Sequence, residues 1–124
     1  MLPFVYVFIG GGLGSVLRYG ISLAITAKED AFPKATFITN IAGCLLIGLV
    51  LGYLGREHTD NTHWKLLLAT GFCGGFTTFS SFSREALNLM QQQQWGLFAI
   101  YVILSVLICI AATAGGFALI KSFQ

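Results

Sequence analysis

Charge is the scarcest ingredient of this 124-residue chain: 10% of its residues are charged, against 56% that are hydrophobic. A soluble domain normally carries about 25% charge. With a mean hydropathy of +0.79, the apolar surface needs a solvent other than water, and a bilayer supplies one. Length then allows one domain of about four spanning helices at roughly 20 residues each. It leaves no room for a separate soluble domain.

Other shortages narrow the function. The three cysteines, Cys44, Cys73 and Cys109, lie in different apolar segments without CxxC pairing, so they read as small buried hydrophobes. A dispersed net charge of +2 gives no nucleic-acid footprint. The two histidines, His58 and His63, share a polar stretch with no nucleophile or acidic ligand at metal spacing. No catalytic set emerges, and the chain does not read as an enzyme.

What is present is a series of apolar segments. The first runs from about Pro3 to Thr26 and lacks a basic start or a small-residue cleavage site, so it is expected to be retained. "AKEDAFPK" separates it from a second segment, Ala35 to Leu54. After "GREHTDNTH" a third runs from Trp64 to Met90, "QQQQ" follows, and the fourth spans Trp95 to Ile120 without a charge. Trp64 and Trp95 open their segments, where indoles favour the interface.

Lys28 and Lys34, with Arg18 and Arg84, fall toward one side of such a topology; Arg56, Lys65 and Lys121 fall toward the other. At four against three, the positive-inside rule expresses almost no preference. Insertion in both orientations, and an antiparallel dimer, is the expectation; a fixed topology is the alternative. Gly10, Gly11, Gly12 and Gly14, then Gly48 and Gly52 at GxxxG spacing, permit close helix contact.

The third segment holds "GFCGGFTTFSSFS", Gly71 to Ser83. Gly74 and Gly75 each lower helix propensity by about 1 kcal/mol relative to alanine. Thr77 and Thr78 add β-branched stiffness and competing hydroxyls. A helix break near 74–78 follows. Two readings stand: freed carbonyls hold a small cation, or the stretch is a packing surface with hydroxyls bonded to the preceding turn.

Phe79 and Phe82 share a helix face. They serve a core, or else present positive ring edges to an anion, with donors from Ser80, Ser81 and Ser83 nearby. Neutral donors suit a small hydrated anion that must also leave. Asn40 offers amide donors or a plain helix–helix hydrogen bond. Tyr101, Ser105, Cys109 and Thr113 recur every four residues, as an ion track or a polar seam. Arg18 either concentrates anions at a vestibule or snorkels to the interface. Glu85 is either a functional intramembrane charge or the mark of a helix approaching water.

Through "GFCGGFTTFSSF", "GGGLGSVLRY" and "NIAGCLLIG", the sequence resembles the fluoride channel family (Fluc, also called CrcB) over essentially its whole length. The resemblance implies an all-α membrane protein: a dual-topology homodimer of antiparallel four-helix subunits, with two fluoride pores in a bacterial-type inner membrane. It also implies a structural sodium ion at the dimer interface, held by the main-chain carbonyls of Gly74 and Thr77. By the same resemblance, Phe79, Phe82 and Asn40 match pore residues, Tyr101, Ser105 and Thr113 a polar track, Arg18 the vestibule arginine and Glu85 an acid of the conducting path. Ser81 stands where many relatives have threonine, and Cys109 where a hydroxyl is expected. The expected function is passive fluoride export. The alternative is a dual-topology proton-coupled exporter, which needs a membrane-embedded carboxylate; the first segment has none.

Overall fold

A computed structural model describes residues 1–26, 31–55 and 60–124. Lys28 and Arg56 of the charge count, and His58, lie outside those residues. Within them every regular element is helical. Helix α1 is Leu2–Ala24, started by a proline in its first turn, and α2 is Lys34–Leu54, entered through Pro33. Proline fits there because the first N–H groups of a helix have no intrahelical partner to lose.

Residues 62–76 form one helical run, α3, in three parts. A short α-helical start, Thr62–Trp64, passes into Lys65–Cys73, where hydrogen bonds skip five residues instead of four, and closes with Gly74–Phe76. Extended residues Thr77 and Thr78 follow, then α4, Phe79–Gln91, and α5, Trp95–Ser122. Gln93 takes a positive φ of 58° in the tight link between the last two.

Three helices, α1, α2 and α5, are long and apolar enough to cross a membrane. Only 11% of the most apolar window of α1 and of α5 is buried, and 28% of that of α2. The oily side chains therefore point outward: Phe4 is 77% exposed and Phe8 79%. Such a surface is stable against lipid or another apolar partner, not against water.

Packing inside the chain runs on small residues. Helix α1 lies along α3, and α2 along α5. A Cβ on Gly10 would overlap the Leu67 carbonyl, and one on Gly14 the Phe72 carbonyl. Gly75 packs likewise on the Gly11 carbonyl, and Gly48 on that of Thr113. Gly12 and Gly74, by contrast, have nothing within 4 Å of that position. The small core is aromatic: Tyr101, Leu89 and Ala86 are buried, with Phe32, Phe37 and Phe82 packed against them.

Two cavities around an interrupted helix

Helical bonding stops at Phe76. Thr77 has φ −80° and ψ 154°, and Thr78 has φ −147° and ψ 118°. The Thr78 hydroxyl restarts the helix as an N-cap, accepting from the Ser81 N–H at 3.2 Å. This arrangement satisfies one of the donors that any helix start leaves orphaned.

Neighbouring side chains fix the remaining groups. Asn40 on α2 grips Thr78 from both sides: its Oδ1 accepts the Thr78 N–H at 2.7 Å, and its Nδ2 donates to the Thr78 carbonyl at 3.1 Å. Across α1, Arg18 Nε donates to the Gly75 carbonyl at 3.1 Å, joined by the Ser15 hydroxyl at 3.4 Å. The Cys73 carbonyl takes both the N–H and the hydroxyl of Thr77. The carbonyls of Gly74 and Thr77 lose the donors that a continuous helix would give them. The N–H groups of Thr78 and Ser81, which would close α-turns on Gly74 and Thr77, are committed to Asn40 and to the Thr78 hydroxyl.

An apolar cavity of about 270 Å³ opens beside the interruption, lined by Asn40, Thr77, Thr78, Phe79, Phe82 and Ser105 among others. The Phe79 and Phe82 rings stand 5.4 Å apart at 47°, and Phe82 continues to Tyr101 at 5.1 Å. Ser105 Oγ is buried and has no hydrogen-bond partner among the described residues. An orphaned buried hydroxyl is costly unless something outside the protein meets it.

A second, polar cavity of about 580 Å³ lies on the other side of Thr78, which lines both. Arg18, Lys34 and Arg84 contribute cations to it, alongside Ser81 and Glu85. Glu85 is fully engaged: Thr36 donates to one of its oxygens and Tyr101 to the other, each at 2.7 Å. Among the described residues, no three His, Cys, Asp or Glu side chains group as a metal cluster would require.

The residues singled out in the sequence thus divide. Asn40, Phe79, Phe82 and Ser105 meet in the apolar cavity; Arg18, Ser81 and Glu85 meet in the polar one. Tyr101 is wholly buried and bonds to Glu85. Ser80 is exposed, its hydroxyl 3.2 Å from that of Thr78. Thr113 bonds back to the Cys109 carbonyl and lines a separate cavity of about 430 Å³. Gly74 lies on the open side of α3.

A family model described as CrcB-like protein, Camphor Resistance (CrcB), matches residues 5–117. The chain belongs to the CrcB family. Among its curated relatives is a "Fluoride-specific ion channel FluC" of Flavobacterium psychrophilum, 49% identical over 117 residues, which are 94% of each chain. A protein of the same name from Methylobacterium nodulans is 43% identical over 99% of both chains. "Fluoride-specific ion channel FluC 1" of Yersinia pestis is 41% identical, over 94% of this chain and 92% of that one. The CrcB match takes in both cavities and the interruption between them. With three helices able to cross a bilayer, this CrcB chain is a multi-pass membrane protein.

Sequence reasoning passed over two residues of the site and read a third, Thr78, only as a helix breaker. Thr36 and Thr39 are buried hydroxyls on α2, and Thr36 holds Glu85. Thr78 ties the two halves of the motif together. Hydroxyls at 36, one helical turn before Asn40, and at 39, beside it, inside an apolar segment, were the available signal.

Proposed function

We propose that this chain forms a fluoride-selective channel that lets the ion leave the cytoplasm passively, in a bacterial-type inner membrane. The observation that carries the reading is the unpartnered Ser105 hydroxyl, facing a cavity rimmed by Phe79, Phe82 and the Asn40 amide. A dehydrating fluoride ion needs donors without a fixed cation, and ring edges add weak positive potential. The polar cavity, with Arg18, Lys34 and Arg84, would gather anions at its mouth. Relatives bearing a fluoride-channel name support the same substrate. A membrane potential would drive the ion outward with about 2.3 kcal/mol per 100 mV.

The assembly we infer is an antiparallel homodimer, in which residues 62–91 make a fourth crossing from two half-helices. The near-even distribution of basic residues supports it, as do the outward-facing phenylalanines. A structural sodium ion fits the same picture. Gly74 and Thr77 each keep a carbonyl deprived of its intrahelical donor, and among the described residues nothing lies within 4 Å of where a Gly74 side chain would start. Two such carbonyls from each copy would offer a hard cation four neutral oxygens, as its chemistry prefers. Sodium would supply positive charge where two broken helices end.

A proton-coupled exporter needs a carboxylate free to trade a proton for a cation. Both Glu85 oxygens already accept hydrogen bonds, which speaks against that role. Purified protein in liposomes should release fluoride rapidly under an imposed potential while retaining chloride. Equal chloride release would defeat the selectivity.

A further inference from the structure

Two thiols have no part in the proposed function. Cys44 on α2 and Cys109 on α5, two helices that pack along each other, are both reduced and both half-buried. Each sits one helical turn beyond a residue of the apolar cavity: Cys44 follows Asn40 by four, and Cys109 follows Ser105 by four. The pair lines that cavity and also the adjoining one that holds Thr113. It therefore stands at the divide between them.

Thiolates select soft metal ions. Tetrahedral zinc needs four ligands, or three with an open position. Among the described residues no third Cys, His, Asp or Glu joins this pair in a cluster, which leaves two-coordinate binding. Two metal–sulfur bonds of about 2.3 Å laid end to end separate the sulfurs by about 4.6 Å. Cys44 and Cys109 lie on helices packed along each other and line the same two cavities, so a bridge of that length joins neighbouring side chains. Charge chooses among soft ions: two thiolates neutralise a divalent ion, whereas a monovalent one leaves a net negative charge in an apolar wall, which is costly.

We propose that Cys44 and Cys109 form a two-thiolate site for a soft divalent cation of the mercuric type, bridging α2 and α5. On binding, each S–H bond breaks and a metal–sulfur bond forms. The two protons go to water, and no atom changes oxidation state. If fluoride passes through the cavity, as proposed above, the bridged metal narrows its inner end and blocks flux.

Titration of the purified full chain with mercuric chloride tests the site directly. One mercury per chain should be held with both Cys44 and Cys109 protected from maleimide, read by mass spectrometry and by the ultraviolet thiolate-to-metal charge-transfer band. Cys73→Ser should behave as wild type, while Cys44→Ser and Cys109→Ser should each lose the bridge. In liposomes, bridged protein should lose fluoride flux by about tenfold or more, as occlusion of a narrow pore requires, and a dithiol chelator should restore it. Each variant is compared with its own metal-free rate. Absence of the bridge in wild type, or an equal response from Cys44→Ser/Cys109→Ser, overturns the site. A bridge formed with undiminished flux leaves the site standing and refutes the route past it. Protein that conducts no fluoride before metal is added refutes the channel reading, while the titration still judges the thiol pair.

Discussion

Replacing Asn40 with alanine removes both partners of one extended residue. Thr78 would keep its N–H and its carbonyl but lose the bonds at 2.7 and 3.1 Å that satisfy them. A buried polar group left bare costs about 1–3 kcal/mol, so two set a ceiling of about 6 kcal/mol. Interhelical hydrogen bonds inside bilayers measure lower, averaging about 0.6 kcal/mol each. The adjoining cavity of about 270 Å³ has room for water to reclaim part of the loss. The expected destabilisation is therefore about 1–3 kcal/mol, read from reversible denaturant unfolding in micelles. Fluoride efflux should fall at the same time, because the amide that lines the cavity is gone. Asn40→Asp separates the two effects: it still accepts from the Thr78 N–H but offers no donor to the carbonyl, and it places a carboxylate where an anion is meant to pass. Aspartate should regain part of the stability and none of the flux. Alanine with unchanged unfolding and unchanged efflux would refute the clamp and the cavity's role together.

Replacing Phe79 or Phe82 with isoleucine should slow fluoride efflux and leave oligomeric state on size-exclusion chromatography as in wild type. Phe82→Ile should also cost about 1 kcal/mol of stability, since Phe82, unlike Phe79, packs on Tyr101, at 5.1 Å. Ser105→Ala deletes a buried hydroxyl that bonds to nothing among the described residues, so its unfolding free energy should not fall and should rise by up to about 1 kcal/mol. Its efflux should nonetheless drop, and retained efflux would show that the orphaned hydroxyl is spare.

Composition and apolar run length made the membrane class legible, because segments as oily as α2 and α5 are long and apolar enough to cross a bilayer. The motif residues were legible as a group, yet their division between two cavities was not. Four-residue spacing advances about 40° around a helix at each step. Tyr101, Ser105 and Thr113 therefore drift apart: one turns to Glu85, one to the apolar cavity and one back onto its own helix. Asn40 read as amide donors for an ion or as a helix–helix hydrogen bond, and both its ends are in fact occupied by the backbone of Thr78. Contacts of that kind depend on three segments meeting at one depth, and no local pattern encodes the meeting. The five-residue bonding of Lys65–Cys73 was equally invisible. It comes where α3 rests on glycines of α1 through bare backbone, a tertiary contact and not a propensity.

The anchoring of Gly75 and Thr78 has a mechanical consequence. Arg18 and Ser15 hold the chain just before the gap, and Asn40 holds it just after. A hinge needs torsions that are free to swing, and these are tethered to two different helices. Rewinding this stretch into continuous helix would mean releasing Asn40 first. Quick movement at this depth is thus left to aromatic rings turning about their own bonds, with the main chain beneath them as rigid as a strut.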